Sequence, residues 1–597
     1  MLSTSLHTTD YLAIVAYLVA IVVIGVACSG RQKDSRAYML GGGRMPYLAL
    51  GISCLMAALS AFSLVMVPGE IYNHGLTMFV LSLLYPVFTI FTCMVFMRFY
   101  FRLGAFTPFE YLERRYSPAV RTLMASMTIY LRLIYLGMVL FSTSKIFEGA
   151  AGWPSWLTIL LCGGISIAFT SAGGLKAVVW TDVMQFVVLI GGLFCILGAL
   201  FLKVDGGLFG CIAYAFQHGH GLSEFARADF YLLNPYVRLS FWLLLLGQFL
   251  SPITIMASDQ MTVQRLLASG SYRNAVKTQV TNTCLTIPTV IILWTIGLLV
   301  FSYYHQHHLE ARSGDTALFQ FIVTELPSPI PGLVIAGMLA AVISTLNSVF
   351  NSMATVYLKE LHLRHINAAL SEERQVAYTR VATIVIGALS CGLGLLIAYS
   401  ADILRQSVVE ASTIFNAFDA ITIPAFVYAV LSRKAETLLV WVTAGLLWGL
   451  KFAMIAWYWL STRDCNAWKD AVAKGLAATD FGWAGPIRWS LALPWLGAGL
   501  AIFLLWLAFR KRLGRVTDTL GILAATLPLG VGMGLWVWAF FSNRCCQTQP
   551  GALSFTWLGL PIIVFNVIIG VVWLTCGKVQ PREKWEGLTL FEDSGIK

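Results

Sequence analysis

The stretch Pro331–Tyr357, PGLVIAGMLAAVISTLNSVFNSMATVY, is long enough to cross a bilayer as one helix, and it carries Ser344, Thr345, Asn347, Ser348, Asn351, Ser352 and Thr355. Oxygen is costly in hydrocarbon, so a span this rich in hydroxyls and amides must face something other than lipid. Helical periodicity sorts the segment. Ala341, Ser344, Thr345, Ser348, Ser352 and Thr355 recur at spacings of three and four and line one face, while Leu, Val, Ile and Met cover much of the rest. For any one of these residues, close packing and hydrogen bonding between membrane helices is a sufficient reason to be there. The stripe as a whole implies a wet or ion-lined cavity.

Composition reaches the membrane class independently. Of 597 residues 58% are hydrophobic and 12% charged, with a mean hydropathy of +0.76, far from a soluble average. Spans of about 20 apolar residues recur about fifteen times along the chain, which predicts an all-α integral membrane protein. With the N-terminus outside, about 27 of the 40 basic residues fall on the inner side, among them Arg44, Arg114, Arg115 and Arg265, and the C-terminus is cytoplasmic. Topology and anionic lipid then account for the net charge of +11, and nucleic acid is not implied. Met1–Asp10 lacks a basic residue, which argues against a cleaved signal peptide.

The twelve cysteines show no metal-ligand spacing. Cys211, Cys465 and the pair Cys545–Cys546 face outward in this frame, where a disulfide can form. His305, His307 and His308 share an outer loop and read as solvated. The polar stretches at 203–237, 306–328 and 461–490 are loop-sized, so no soluble domain is appended. No acid dyad or His pair stands at catalytic spacing, and no enzyme is expected.

The second span, Tyr47–Gly75, is interrupted by Ser53, Ser60, Ser63, Pro68, Gly69 and Glu70. Such a helix can break and turn freed carbonyls toward a cation. Pro68 is equally consistent with a simple kink.

The motif Ala341-Val-Ile-Ser344-Thr345-Leu-Asn-Ser348 resembles the sodium-site helix of the sodium/solute symporter family. Gly41-Gly-Gly-Arg44, Val67-Pro68-Gly69-Glu70, Thr107-Pro108-Phe-Glu110-Tyr111, Gly173-Gly174 with Trp180-Thr181-Asp182, and Asp259-Gln260-Met-Thr-Val263-Gln264-Arg265 are similar to further family signatures, in family order over roughly Tyr11–Leu431. The wording looks nearest to the iodide, monocarboxylate and multivitamin branch. The resemblance implies a LeuT-type 5+5 inverted repeat. Its segments would be 1–46 (peripheral helix and inner loop), 47–202 (first repeat), 203–237 (outer loop), 238–431 (second repeat) and 432–597 (peripheral helices and cytoplasmic tail).

The same resemblance places sodium at the carbonyls of Met56, Leu59 and Ala341 and the hydroxyls of Ser344 and Thr345. A second sodium would map to Asp182, Ser344, Asn347 and Ser348. Asn347 departs from the usual hydroxyl there, and Asp182 reads equally as a cap at the start of its span. Solute contacts would come from Ser60, Ser63, Arg132, Tyr135, Gln248 and Asn416. Arg132 within a span needs an anionic partner, either a solute carboxylate or Glu410 or Asp419. Lys451, on a peripheral span, is expected to reach along its helix to the interface. The chain thus reads as a sodium-coupled symporter importing a small polar organic solute, with a carboxylate favoured by Arg132. A sugar or polyol substrate, proton coupling and a non-transporting sodium-responsive receptor are the alternatives.

Overall fold

A computed structural model describes residues 6–29, 34–232, 239–309, 314–399, 422–453, 492–509, 523–524, 526–535 and 560–590. Every regular element among them is helical. Among them, in order, are α1 (Thr8–Ser29), α2 (Tyr47–Ala58), α3 (Ala61–His74), α4 (Leu84–Leu103), α5 (Pro118–Ala151), α6 (Ser155–Lys203), α7 (Gly207–Gln217), α8 (Phe241–Ser258), α9 (Gln260–Ala268), α10 (Tyr272–Gln306), α11 (Gly314–Glu325), α12 (Ile330–Val356) and α13 (Glu372–Tyr399). They are followed by α14 (Thr422–Leu431), α15 (Ala492–Phe509) and α16 (Leu560–Cys576). Among the described residues eight helices are long and apolar enough to cross a membrane.

The chain forms two units. The first comprises Met1–Tyr111, Thr122–Ala226 and Ser251–Ser412, with α12 at its centre. Of the α12 span, 94% is buried inside the protein, against 28–50% for the other seven spans. That difference explains how the helix carries so many hydroxyls: α6, α1, α13, α2 and α9 surround it, and lipid does not. Ile14 and Tyr17 of α1, Leu136 and Leu140 of α5, and Leu339, Ile343 and Phe350 of α12 share one apolar cluster. The Asp10 carboxylate accepts the Gly332 N–H (3.1 Å) in the first turn of α12, so α1 starts where α12 starts.

Three interruptions shape this unit. The α2 ladder ends with Leu59 N–H donating to Leu55 (2.9 Å), and Leu59 then turns extended (φ −91°, ψ 92°). Ser60 opens α3 by accepting the Ser63 N–H (3.4 Å). The break therefore lies at Leu59–Ser60, while Pro68 sits inside the continuous α3. Within α6, Gly174 (φ 59°, ψ −164°) divides two helical halves in a conformation that belongs to glycine. Asp182 lies well inside the second half, so it does not cap that helix. Asp259 separates α8 from α9 and caps α9, its carboxylate accepting Met261 N–H (3.3 Å) and Thr262 O–H (2.9 Å).

The segment after α6 holds the helix α7, and Cys211 on it is a buried free thiol donating to the Asp205 carbonyl (3.1 Å). Cys465, Cys545 and Cys546 lie outside the described residues. His305, His307 and His308 are exposed at the end of α10.

The second unit comprises Leu112–Arg121, Arg227–Leu250 and Thr413–Lys597. Arg115, counted from sequence as an inner-loop charge, is 1% exposed. Its guanidinium donates to the carbonyls of Ala429 (2.9 Å), Lys584 (3.2 Å) and Ser432, gathering acceptors at the end of α14. Lys451 is fully buried rather than extended to an interface.

Candidate cation and solute site

The break between α2 and α3 leaves the carbonyls of Met56, Ala57 and Ala58 beyond the last bond of the α2 ladder. Across from them stands α12. The Thr345 hydroxyl donates to the Ala341 carbonyl (3.1 Å) in its own helix and faces the Ala57 carbonyl (3.4 Å). Met56, Ala341, Ser344 and Thr345 are fully buried, and Leu59 nearly so. The end of α2 and the α12 stripe are thus brought together, with the Ala57 carbonyl added to those named from sequence. Its signal was its place in the last turn before Ser60.

Ser344 turns elsewhere. Its hydroxyl donates to Asp182 Oδ1 (2.6 Å), while Ser53 on α2 donates to Oδ2 (2.5 Å). Arg265 completes this cluster: its Nη2 lies 3.5 Å from Asp182 Oδ2, at 1% and 0% exposure of the two side chains. Nε donates to Ser53 (2.7 Å), Nη1 to the Met261 carbonyl (2.9 Å) and Nη2 to the Ser348 hydroxyl. One guanidinium therefore ties α9 to α2, α6 and α12. Counting Arg265 as an inner-loop charge missed this, because charge position along the chain does not reveal that α9 folds back against α12. Gln264 beside it donates to the Met39 carbonyl and lies 3.3 Å from both Asn351 Oδ1 and Thr355 Oγ1, so the C-terminal half of the polar stripe faces α9. Asn347 accepts the Thr170 hydroxyl (3.0 Å) from the first half of α6.

Arg132 on α5 pairs with Asp259 (2.8 Å), at 21% and 5% exposure, and its guanidinium stands over the Tyr135 ring (5.4 Å). Glu410, Asp419 and Asn416 lie outside the described residues. Gln248 donates to the Leu244 carbonyl of its own helix (3.3 Å). Ser60 is buried and Ser63 half-buried at the start of α3. Because Asp259 also caps α9, its partner matters to the helix that carries Arg265. Arg132→Gln is expected to lower the stability of the solute-free protein by about 1–3 kcal/mol. Asp259→Asn in the same chain should restore part of it, and additive losses in a double-mutant cycle would show that the pair is uncoupled.

Residues 38–449 match the Sodium:solute symporter family. The chain belongs to this family. It is 29% identical over 418 residues to the sodium-dependent multivitamin transporter of Oryctolagus cuniculus, covering 68% of this chain and 64% of that one. It is 28% identical over 390 residues to the sodium/sialic acid symporter SiaT of Proteus mirabilis, covering 64% and 76%. The match to the multivitamin transporter thus spans just under two thirds of that relative's length. A solved structure, the substrate-bound outward-open state of a Na+-coupled sialic acid symporter, superposes with a TM-score of 0.66 at 21% identity, over 89% of this chain and 98% of that one. This symporter-family chain therefore has an all-α, LeuT-type membrane fold, as its motifs implied.

Proposed function

We propose that the protein is a sodium-coupled secondary active symporter that imports a small polar organic solute by alternating access. The observation that carries this reading is the meeting of the Thr345 hydroxyl with the freed Ala57 carbonyl of α2 before the Leu59–Ser60 break, on the most buried of the eight described spans. Carbonyl and hydroxyl oxygens in a dry site replace the hydration shell of a hard monovalent cation. Met56, Leu59, Ala341, Ser344 and Thr345 are the sodium ligands in this reading, with Ala57 beside them. The residues hold no formal charge of their own, so binding is weak and reversible. The ion supplies the drive, about 2.3 kcal/mol per 100 mV of membrane potential before any concentration gradient.

The reading extends to the arrangement around the site. The inverted repeats are 47–202 and 238–431, the N-terminus is outside, the C-terminus is cytoplasmic, and lipid surrounds the assembly. Ser60, Ser63, Arg132 and Tyr135 contact solute in this reading. Sodium holds α2 and α12 together while solute binds. Its departure inward lets them separate.

The test is sodium-driven uptake into proteoliposomes, screened over carboxylates, sugars, vitamins and inorganic anions. Replacing sodium by choline at fixed pH separates sodium from proton coupling. Thr345→Ala should raise the sodium concentration for half-maximal uptake about tenfold, the equivalent of 1.4 kcal/mol for one lost ligand, with protein yield unchanged. An unchanged sodium dependence in this variant would remove the assigned site.

A further inference from the structure

Two histidines that the transport reading leaves unused meet where α7 and α10 end. Tyr214 and His218 stand one turn apart at the end of α7, and the His305 ring in the last turn of α10 packs against both. The two helices are already held together, because the Ser302 hydroxyl of α10 donates to the Cys211 carbonyl of α7 (2.9 Å) in a buried contact. The ring centres of His218 and His305 lie 4.9 Å apart at 54°. Both side chains are exposed.

The hydrogen bonds decide what these rings can do. His218 Nδ1 lies 2.8 Å from the Tyr214 carbonyl, an oxygen that can only accept, so the neutral ring carries its proton on Nδ1 and presents a lone pair at Nε2. His305 Nδ1 lies 2.6 Å from the Tyr214 hydroxyl, which, accepting that N–H, leaves the same lone pair at the second ring. Imidazoles with one nitrogen held by an oxygen are the usual ligands of transition metals. Two of them sharing one tetrahedral zinc ion, with Zn–N about 2.0–2.1 Å, hold their ring centres about 5 Å apart. The neighbouring histidines are committed elsewhere. His220 turns Nδ1 to the His218 carbonyl (3.2 Å) and Nε2 to the Tyr72 carbonyl (3.0 Å), with its ring stacked on Phe301 at 3.5 Å. His307 turns Nδ1 to the Tyr303 carbonyl (2.9 Å) and packs its ring on Tyr303 at 4.7 Å. Among the described residues no third His, Cys, Asp or Glu joins the pair, so water fills the other positions around a metal.

We propose that His218 and His305 form a site for a divalent transition-metal cation of the zinc class, with Nε2 of each ring as ligand and Tyr214 as the residue that orients both. Hard cations prefer oxygen, so sodium and magnesium do not compete for it. The site is separate from the oxygens of α2 and α12 and does not rest on the sodium-coupled reading. A metal held there links the end of α7 to the end of α10. The link reaches the end of α3 as well, because the turn after α7 is bonded to it: the His220 carbonyl accepts the Leu76 N–H (3.2 Å), and His220 Nε2 meets the Tyr72 carbonyl.

The experiment is a titration of the melting temperature of the purified full-length protein, freed of its affinity tag and stripped with EDTA, by zinc chloride, with magnesium chloride as the control. Zinc should raise the melting temperature saturably at micromolar concentrations, EDTA should reverse the gain, and magnesium should give none. His218→Asn and His305→Asn should keep the metal-free melting temperature, since both side chains are exposed, and should raise the zinc midpoint at least about tenfold. Tyr214→Phe keeps both ligands but removes the oxygen at His305 Nδ1, and should also raise the midpoint, by about tenfold. His307→Asn should leave it unchanged. No zinc response in the unaltered protein would overturn the proposal. So would equal midpoints in the unaltered protein and both histidine variants, which would assign the zinc to thiols such as the exposed Cys284. Should a histidine variant fail to fold, equal midpoints in Tyr214→Phe and His307→Asn would overturn it in the same way. Each of these results leaves the Thr345 site as it stands.

Discussion

Asp182→Ala is expected to destabilise the sodium-free protein by about 3–5 kcal/mol, because it leaves a buried guanidinium without its carboxylate. Arg265 is 1% exposed, and Asp182 is the carboxylate that faces it: Ser53 donates to that carboxylate and accepts from the guanidinium, while Ser348 offers only a neutral hydroxyl. Removing the acid frees Ser53 and Ser344 together and leaves the arginine charge facing neutral hydroxyls. Replacing the arginine as well, with Arg265→Met in the Asp182→Ala chain, removes that charge and keeps the volume. The double variant should recover a large part of the loss. Thermal or denaturant unfolding of the four proteins in choline buffer measures the coupling, and losses that simply add would show that the ion pair contributes nothing.

The parts of this site that could be read from sequence are those set by local periodicity. The hydroxyl stripe of α12 follows from spacings of three and four, and its central burial follows from the cost of bare oxygens in lipid. The break in the second span was legible as a tendency, yet its position was not, because Pro68 and Gly69 are the louder signals. A proline inside a helix removes one donor and can be absorbed, whereas Ser60 can stop and restart the chain by capping α3 with its own side chain. The partners of Arg132 and Arg265 were out of reach. Asp259 and Asp182 stand far from them in sequence, and only the folding back of α9 brings these charges together. Counting basic residues as loop charges works for the average residue of a topology and fails for Arg115 and Arg265, which the fold buries.

Gly270→Ala should cost at least about 3 kcal/mol and abolish transport, for reasons that separate two effects of glycine. Gly270 ends the turn after α9 with φ +77°, and a Cβ there would lie 2.0 Å from the Gly43 carbonyl oxygen. The neighbouring chain cannot yield easily. Gly41, Gly42 and Gly43 are themselves at positive φ, and Met45 N–H donates to the Ala268 carbonyl (3.1 Å), holding the two backbones together. A methyl group at 270 must push α9 away from this loop. With α9 go Gln264 and Arg265, the side chains that reach Met39, Asn351, Ser53, Ser348 and Asp182. Gly104, at the end of α4, is the control: its φ is +61°, but nothing lies within 4 Å of a Cβ built there. Gly104→Ala therefore meets backbone strain alone, about 1–2 kcal/mol, and should keep sodium-driven uptake. Equal losses of melting temperature in the two variants would mean that strain is the whole effect and that the close approach of the turn after α9 to Gly43 does not hold α9 in place.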